Sequence, residues 1–185
     1  MQLKDMGSRL HCDVLIAVVE RGDEVYIPDG NFELKARDEI SIVGTPAKTI
    51  EFFKKLGVPT SSARDALIVG GGRTSVYLAK QLLEMGIRVK IVERDEERCE
   101  ELNEMVPKAM IICGDATDKD LLIEEGLLET EAFVATTNFD EENIMLALFA
   151  KSLSSAKLIT KVHRISYDDI IDQLDVGSII YPKFI

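Results

Sequence analysis

At 185 residues the chain is long enough for one large domain or two small ones, and with 46% hydrophobic residues it can bury a real core. Its 22 Lys and Arg against 33 Asp and Glu leave a formal charge of −11, which works against nucleic acid, a ligand held through cations on its phosphates. A nucleotide must then be attracted locally, by backbone dipoles and a few placed cations, against the field of the whole molecule.

Val14 to Glu20 is a continuous apolar run that reads as a strand, Arg21-Gly22-Asp23 as a turn, and Glu24 to Ile27 as a second strand completing a hairpin. Pro28-Asp29-Gly30 ends it, and Ile40 to Val43 reads as a further strand. Pro46 opens a predicted helix over 47–56, with Gly57 just past its end. This mostly stranded part, 1–58, is small for a self-sufficient core. The polar stretch Pro59-Thr60-Ser61-Ser62 reads as a linker, taken as 59–65.

From residue 66 the pattern alternates. Strands are predicted at 66–69, 88–92, 109–113, 132–136, 157–162 and 178–181, and helices at 74–85, 96–105, 118–124, 140–152 and 167–174. Gly86 is placed to close the first of these helices, and Asn138 with Glu141 reads as a capping box for the fourth. Short strands alternating with helices define an α/β class: a Rossmann-like parallel sheet over 66–185 with helices on both faces.

The stretch Ala66-Leu67-Ile68-Val69-Gly70-Gly71-Gly72-Arg73-Thr74-Ser75 carries the chemistry. A strand runs into a tight glycine turn that opens a helix, and the unpaired N–H groups of a helix start can hold a phosphate. Gly70 suits the tight turn, Gly72 suits a close backbone approach to a pyrophosphate, and Ser75 stands where Gly or Ala is usual for helix–strand packing. Arg73, beside Thr74, is placed to pair with a terminal phosphate. Glu93 ends the next strand, 23 residues after Gly70, near the spacing of about 20 expected for an acid on the adenosine ribose. Its charge disfavours the 2′-phosphate of NADP. Arg94 reads either as a lid over the adenine or as an exposed arginine. Asp115, Ala116 and Thr117 follow the third strand, and Thr137 and Asn138 the fourth, at the carboxyl ends where such sheets bind ligands. Asp115 and Thr117 read equally as loop chemistry.

Cys12, Cys99 and Cys113 are odd in number and widely spaced, which argues against a disulfide framework or a zinc site and fits a reducing cytosol. No apolar run approaches the roughly 18 residues of a membrane span, so membrane contact is expected only through a partner. No metal-ligand spacing, no thiol paired with a base and no serine triad is present. An NAD-dependent oxidoreductase would need an acid or base near its nicotinamide; the histidines are His11 and His163, the latter reading as a surface residue at a strand end. A scaffold that has lost its ligand is the other rival.

Together these residues resemble the RCK, or KTN, family, the TrkA-type regulatory subunits and domains of bacterial potassium transport. The carriers are Val69-Gly70-Gly71-Gly72-Arg73, Val92-Glu93-Arg94-Asp95, Gly114-Asp115-Ala116-Thr117 and the run from Thr137 to Met145, with Ile180-Tyr181-Pro182 similar to the family's sixth strand. Residues 1–58 resemble the small α+β C-type subdomain of the family through Val18-Val19-Glu20-Arg21-Gly22, Ile27-Pro28, Gly30, Leu34 and Asp38. The family usually has Gly before that aspartate; here Arg37 stands there, so the turn is expected to differ locally. A C-type subdomain ahead of an N-type unit is the order at the centre of a tandem protein, which implies the middle of a longer protein or a naturally shortened relative. The resemblance implies a non-enzymatic cytosolic gating subunit that forms homo-oligomeric rings beneath a membrane potassium channel or transporter, without nucleic acid and without membrane insertion. It implies NAD(H), ATP or ADP as the regulatory ligand, held by Gly70, Gly72, Arg73, Glu93, Asp115 and Thr117.

Overall fold

The computed structural model describes residues 2–4, 6, 14–22, 24–58, 63–164, 173–174 and 176–182. The chain forms two compact units, Met1–Ser62 and Ala63–Ile185.

In the first unit, β1 (Leu15–Arg21) lies between β2 (Glu24–Tyr26) and β3 (Glu39–Val43) in an antiparallel sheet. Val19 pairs with both Tyr26 and Ile40, and a register shift between Ile16 and Val18 lets Ile16 and Val19 face the same core. Phe52 completes that core from α1 (Pro46–Lys55). The sequence starts this helix well: Thr45 caps it by accepting from the Lys48 N–H, Pro46 needs no donor there, and Gly57 follows its end at φ +71°.

Arg21 staples the loop between β2 and β3. Its guanidinium grips Asp38 with two hydrogen bonds of 2.7 and 2.8 Å and lies over the rings of Tyr26 and Phe32, 5.4 and 5.3 Å from their centroids. Asp38 also accepts from the Lys35 N–H at 2.8 Å. The Arg21 and Lys35 bonds lower the Asp38 carboxyl to about 2. Arg37 stands at the turn where a glycine was the residue to be expected from the resemblance. Arg37 takes the left-handed conformation itself, at φ +70°, because the bonds to Asp38 fix the chain on its far side. Such a conformation costs a non-glycine residue about 1–2 kcal/mol.

In the second unit six strands run parallel in the order β6-β5-β4-β7-β8-β9. They are β4 (Asp65–Val69), β5 (Arg88–Glu93), β6 (Met110–Cys113), β7 (Ala132–Ala135), β8 (Lys157–Lys161) and β9 (Ser178–Ile180). The helices between them are α2 (Arg73–Glu84), α3 (Glu96–Met105), α4 (Lys119–Glu124) and α5 (Asp140–Leu153). Alternation along β4 sends Leu67 and Val69 to one face, with Leu122 of α4 and Leu146 of α5, and Ile68 to the other, with Val76 of α2 and Leu102 of α3. Both faces are covered, which is why the strands read as near-continuous apolar runs. The strand order reverses between β4 and β7, and the loops that diverge there open a crevice.

Gly86 follows α2 at φ +81°, as its sequence position demands. The capping box expected at Asn138 and Glu141 does not form. Phe139 is the N-cap residue of α5 and gives no side-chain cap. The buried Asn143 amide sets that helix start from inside instead, bonding Thr137 N–H, Thr137 O and Lys161 O at 2.9, 3.2 and 2.9 Å. Of the helix expected over 167–174, residues 173–174 are helical and 167–172 lie outside the described residues.

Candidate functional site

The crevice is built on the glycine turn after β4. Gly70 holds φ +93°, and a Cβ there would sit 3.0 Å from Thr137 N and 3.1 Å from the Thr136 carbonyl. Gly71 is packed inward: a Cβ on it would come within 2.5 Å of Leu102 Cδ1 and 3.0 Å of Glu93 Oε2. Gly72 is the opposite case, with nothing within 4 Å of its Cβ position. It is the N-cap residue of α2, and no side chain caps that helix. By contrast Asp95 caps α3 and Asp118 caps α4. The unsatisfied donors and positive dipole end of α2 therefore face open space.

Glu93 does more than end β5. Its carboxylate accepts from the N–H of Gly71 at 2.6 Å, of Arg94 at 2.8 Å and of Asp95 at 3.0 Å. It ties the glycine turn to the β5 loop and keeps two oxygens at the crevice edge. Arg98 supports the same turn from α3, donating through Nε to Gly71 O at 2.8 Å. Ser75 is fully buried; its hydroxyl bonds Gly70 O and lies 2.9 Å from Thr136 Oγ1. It holds the start of α2 against the turn, so the packing position is also a bonding one.

The crevice brings together eight of the residues expected from sequence: Gly70, Gly72, Glu93, Arg94, Asp115, Ala116, Thr137 and Asn138. Arg73 and Thr74 are exposed in the first turn of α2 and do not line it, and neither do the buried Ser75 or the exposed Thr117. Thr117 donates to Asp115 Oδ1 through both N–H and hydroxyl at 2.8 Å, and these bonds lower the Asp115 pKa. The loop-chemistry reading of this pair is realised, with Asp115 alone of the two lining the crevice; the cap of α4 is Asp118.

Sequence reasoning missed Gly71, which sits at a variable position of the glycine pattern, and missed Phe139 and Glu142, which also line the crevice. Phe139 projects from the start of α5, 53% exposed, and the Arg94 guanidinium lies 5.9 Å from its ring centroid. It missed a polar group beside the crevice as well. Asp140 is buried and accepts from His163 N–H and His163 Nδ1 at 2.9 Å and from Arg164 N–H at 3.1 Å. Burial works to raise its pKa, but these bonds outweigh it and hold the carboxyl low. His163, expected as a surface residue, is engaged in this cluster. Lys161 is buried too, donating from Nζ to Thr136 O at 2.9 Å, and burial lowers its pKa. Among the described residues no three His, Cys, Asp or Glu are placed to hold a metal ion, and no helix is long and apolar enough to cross a membrane.

Strand order, glycine turn and crevice define a Rossmann-like unit. Solved structures agree on the fold. The GsuK RCK domain aligns over 97% of this chain and 38% of its own at TM-score 0.68 and 19% identity. The TrkA-N domain of the inner membrane protein ybaL from Escherichia coli aligns over 68% and 92% at TM-score 0.59 and 19% identity. Residues 66–182 match the TrkA-N domain family and residues 1–57 the TrkA-C domain family. The chain belongs to the TrkA-N domain family, with a TrkA-C match ahead of that domain. It is 34% identical to the Trk system potassium uptake protein TrkA of Vibrio alginolyticus over 94% of this chain and 38% of the relative. It is 31% identical to a Trk system potassium uptake protein trkA homolog 1 of Methanosarcina mazei over 91% and 42%. The chain thus spans about two fifths of the length of these relatives.

Proposed function

We propose that this chain is the nucleotide-sensing part of a regulatory subunit for potassium transport, with residues 66–185 as the N-type unit, 1–58 as the C-type subdomain and 59–65 as the joint. The observation that carries this reading is the uncapped start of α2 facing open space at Gly72, with the Glu93 carboxylate at the neighbouring strand end. A pyrophosphate takes the free N–H groups, and Glu93 accepts the hydroxyls of the adenosine ribose. That pairing suits NAD(H), ATP or ADP and repels the 2′-phosphate of NADP. The related names support a transport role, and a GsuK channel bound to NAD, at 19% identity and TM-score 0.68 over 97% of this chain and 32% of its own, supports the ligand class.

The partner is a membrane potassium channel or transporter subunit, met from the cytoplasmic side by a homo-oligomer of the regulatory protein. No catalytic step is required. A ligand shifts such an assembly only by binding two of its states unequally. Isothermal titration with NAD, NADH, ATP, ADP and NADPH tests the site. Binding of one or more of the first four, with NADPH clearly weaker, is the expected result. No binding of any of them overturns the reading.

A further inference from the structure

Successive glycines have no side chains to orient their own peptide planes, so whatever orients the turn from Gly70 to Gly72 must come from outside it. Nearly every backbone polar group of that turn is held. Gly70 N–H donates to Val92 O at 2.9 Å, and Gly70 O accepts from the Ser75 hydroxyl. Gly71 N–H donates to Glu93 Oε2 at 2.6 Å, and Gly71 O accepts from Arg98 Nε at 2.8 Å. Gly72 O accepts from Val76 N–H at 3.1 Å, inside the start of α2. The exception is Gly72 N–H, which has no partner among the described residues. It shares one peptide plane with the Gly71 carbonyl. That peptide is trans, so its C=O and N–H point in opposite directions. Arg98 holds the carbonyl from the α3 side and thereby turns the Gly72 N–H away from α3. Gly72 lines the crevice and Arg98 does not.

We propose that Arg98 is a positioning residue for the diphosphate: by fixing the Gly71 carbonyl it aims the Gly72 N–H into the crevice. The inference rests on the nucleotide-site reading above and adds to it a residue that acts without touching the ligand. Without this bond the plane between Gly71 and Gly72 is free to rotate, because neither residue has a Cβ to stop it. The effect runs through the bond rather than through charge at a distance. The Arg98 guanidinium is also paired with Glu101, which offsets its cation, while its Nε stays committed to the turn.

A pair of variants separates the bond from the charge. Glutamine carries its Nε2 as many bonds from the backbone as arginine carries Nε, so Arg98→Gln keeps a donor for Gly71 O and removes the cation. Arg98→Met puts a methyl group there and removes both. Each variant loses the Glu101 pair, so the difference between them isolates the bond to the turn. The test is titration of the full chain and of both variants with ADP and with adenosine, which keeps the base and the ribose but lacks the phosphates. Arg98→Met is expected to weaken ADP about tenfold and to leave adenosine within about twofold of the parent. Arg98→Gln is expected to leave both ligands within about twofold. Parent-like ADP binding by Arg98→Met, an equal loss of ADP affinity in Arg98→Gln, or an adenosine affinity that falls in step with ADP overturns the positioning role and leaves the nucleotide site standing. Failure of the parent chain to bind ADP overturns both.

Discussion

The two rims of the six-stranded sheet use charge in different ways. At the amino ends of the strands, charges cancel in side-chain pairs: Arg88 with Asp65 at 2.8 Å, Lys90 with Glu125 at 3.1 Å, and Arg64 with Glu131, where Arg64 Nε donates at 2.6 Å. At the carboxyl ends, Glu93 is held by backbone N–H groups, and Arg94 rests on a ring rather than on an acid. A carboxylate held by amides is fixed in place without using up a side-chain cation; one paired to an exposed arginine mainly closes a surface. The same residue types therefore fasten one rim and leave the other able to bind.

Gly72→Asp should break the open rim most. An aspartate is a favourable N-cap, and the Cβ position is empty, so α2 should keep its stability. The new carboxylate occupies the pyrophosphate position, and nucleotide affinity should fall more than about a hundredfold, a loss of roughly 2.7 kcal/mol or more. Titration beside a thermal melt reads both effects; unchanged affinity would sink the site assignment.

Gly71→Ala should act on the packing under that rim. Leu102 is fully buried and has little room to retreat from a Cβ 2.5 Å away, so stability should drop by about 1–3 kcal/mol. Denaturant unfolding measures this, and a neutral result would mean that the turn relaxes. Arg37→Gly, outside both rims, is expected to stabilise the first unit by up to about 1 kcal/mol. It relieves a left-handed arginine, less the chain entropy that glycine loses on folding. A loss of stability would show that the Arg37 side chain contributes more than its backbone costs.

On the paired rim, Arg88→Ala should cost no more than about 1 kcal/mol, since Arg88 is 79% exposed, and should leave nucleotide affinity unchanged. The same rim carries an acid dependence. Burial works to raise the Asp65 pKa, but the Glu131 N–H, Arg88 and Thr130 outweigh it and lower the value; Arg64 lowers Glu131. Groups depressed in the folded state stabilise it above their unfolded values and lose that contribution as pH falls below about 4. Arg88→Ala should shrink this acid loss. A pH series of unfolding midpoints that is identical for parent and variant would remove Asp65 from the account.

The layered sheet was legible because strand and helix periods are local signals. Leu67, Ile68 and Val69 announce a strand covered on both faces without reference to any distant residue. Gly70, Glu93 and Asp115 were legible because each lies at a fixed offset from a strand end. What stayed hidden depends on contacts far apart in the chain. Asp140 meets His163 and Arg164 across the β7–β8 edge, and Asn143 reaches Lys161, so the local Asn138–Glu141 capping signal lost to a buried amide. Phe139 reads as a loop residue until Arg94 is found over its ring. Arg37 reads as a departure from a glycine turn because the staple that holds it, Arg21 to Asp38, spans 17 residues.

Asn143 has a mechanical consequence. One side-chain amide fastens the loop after β7, the end of β8 and the first turns of α5. The crevice wall that carries Thr137 and Phe139 is therefore not a free flap but the short arm of a lever. Its long arm is a 14-residue helix, about 21 Å from end to end. A tilt of a few degrees at the crevice becomes a displacement of an ångström or so at Leu153 and the residues beside it, at the far end of the helix from the crevice.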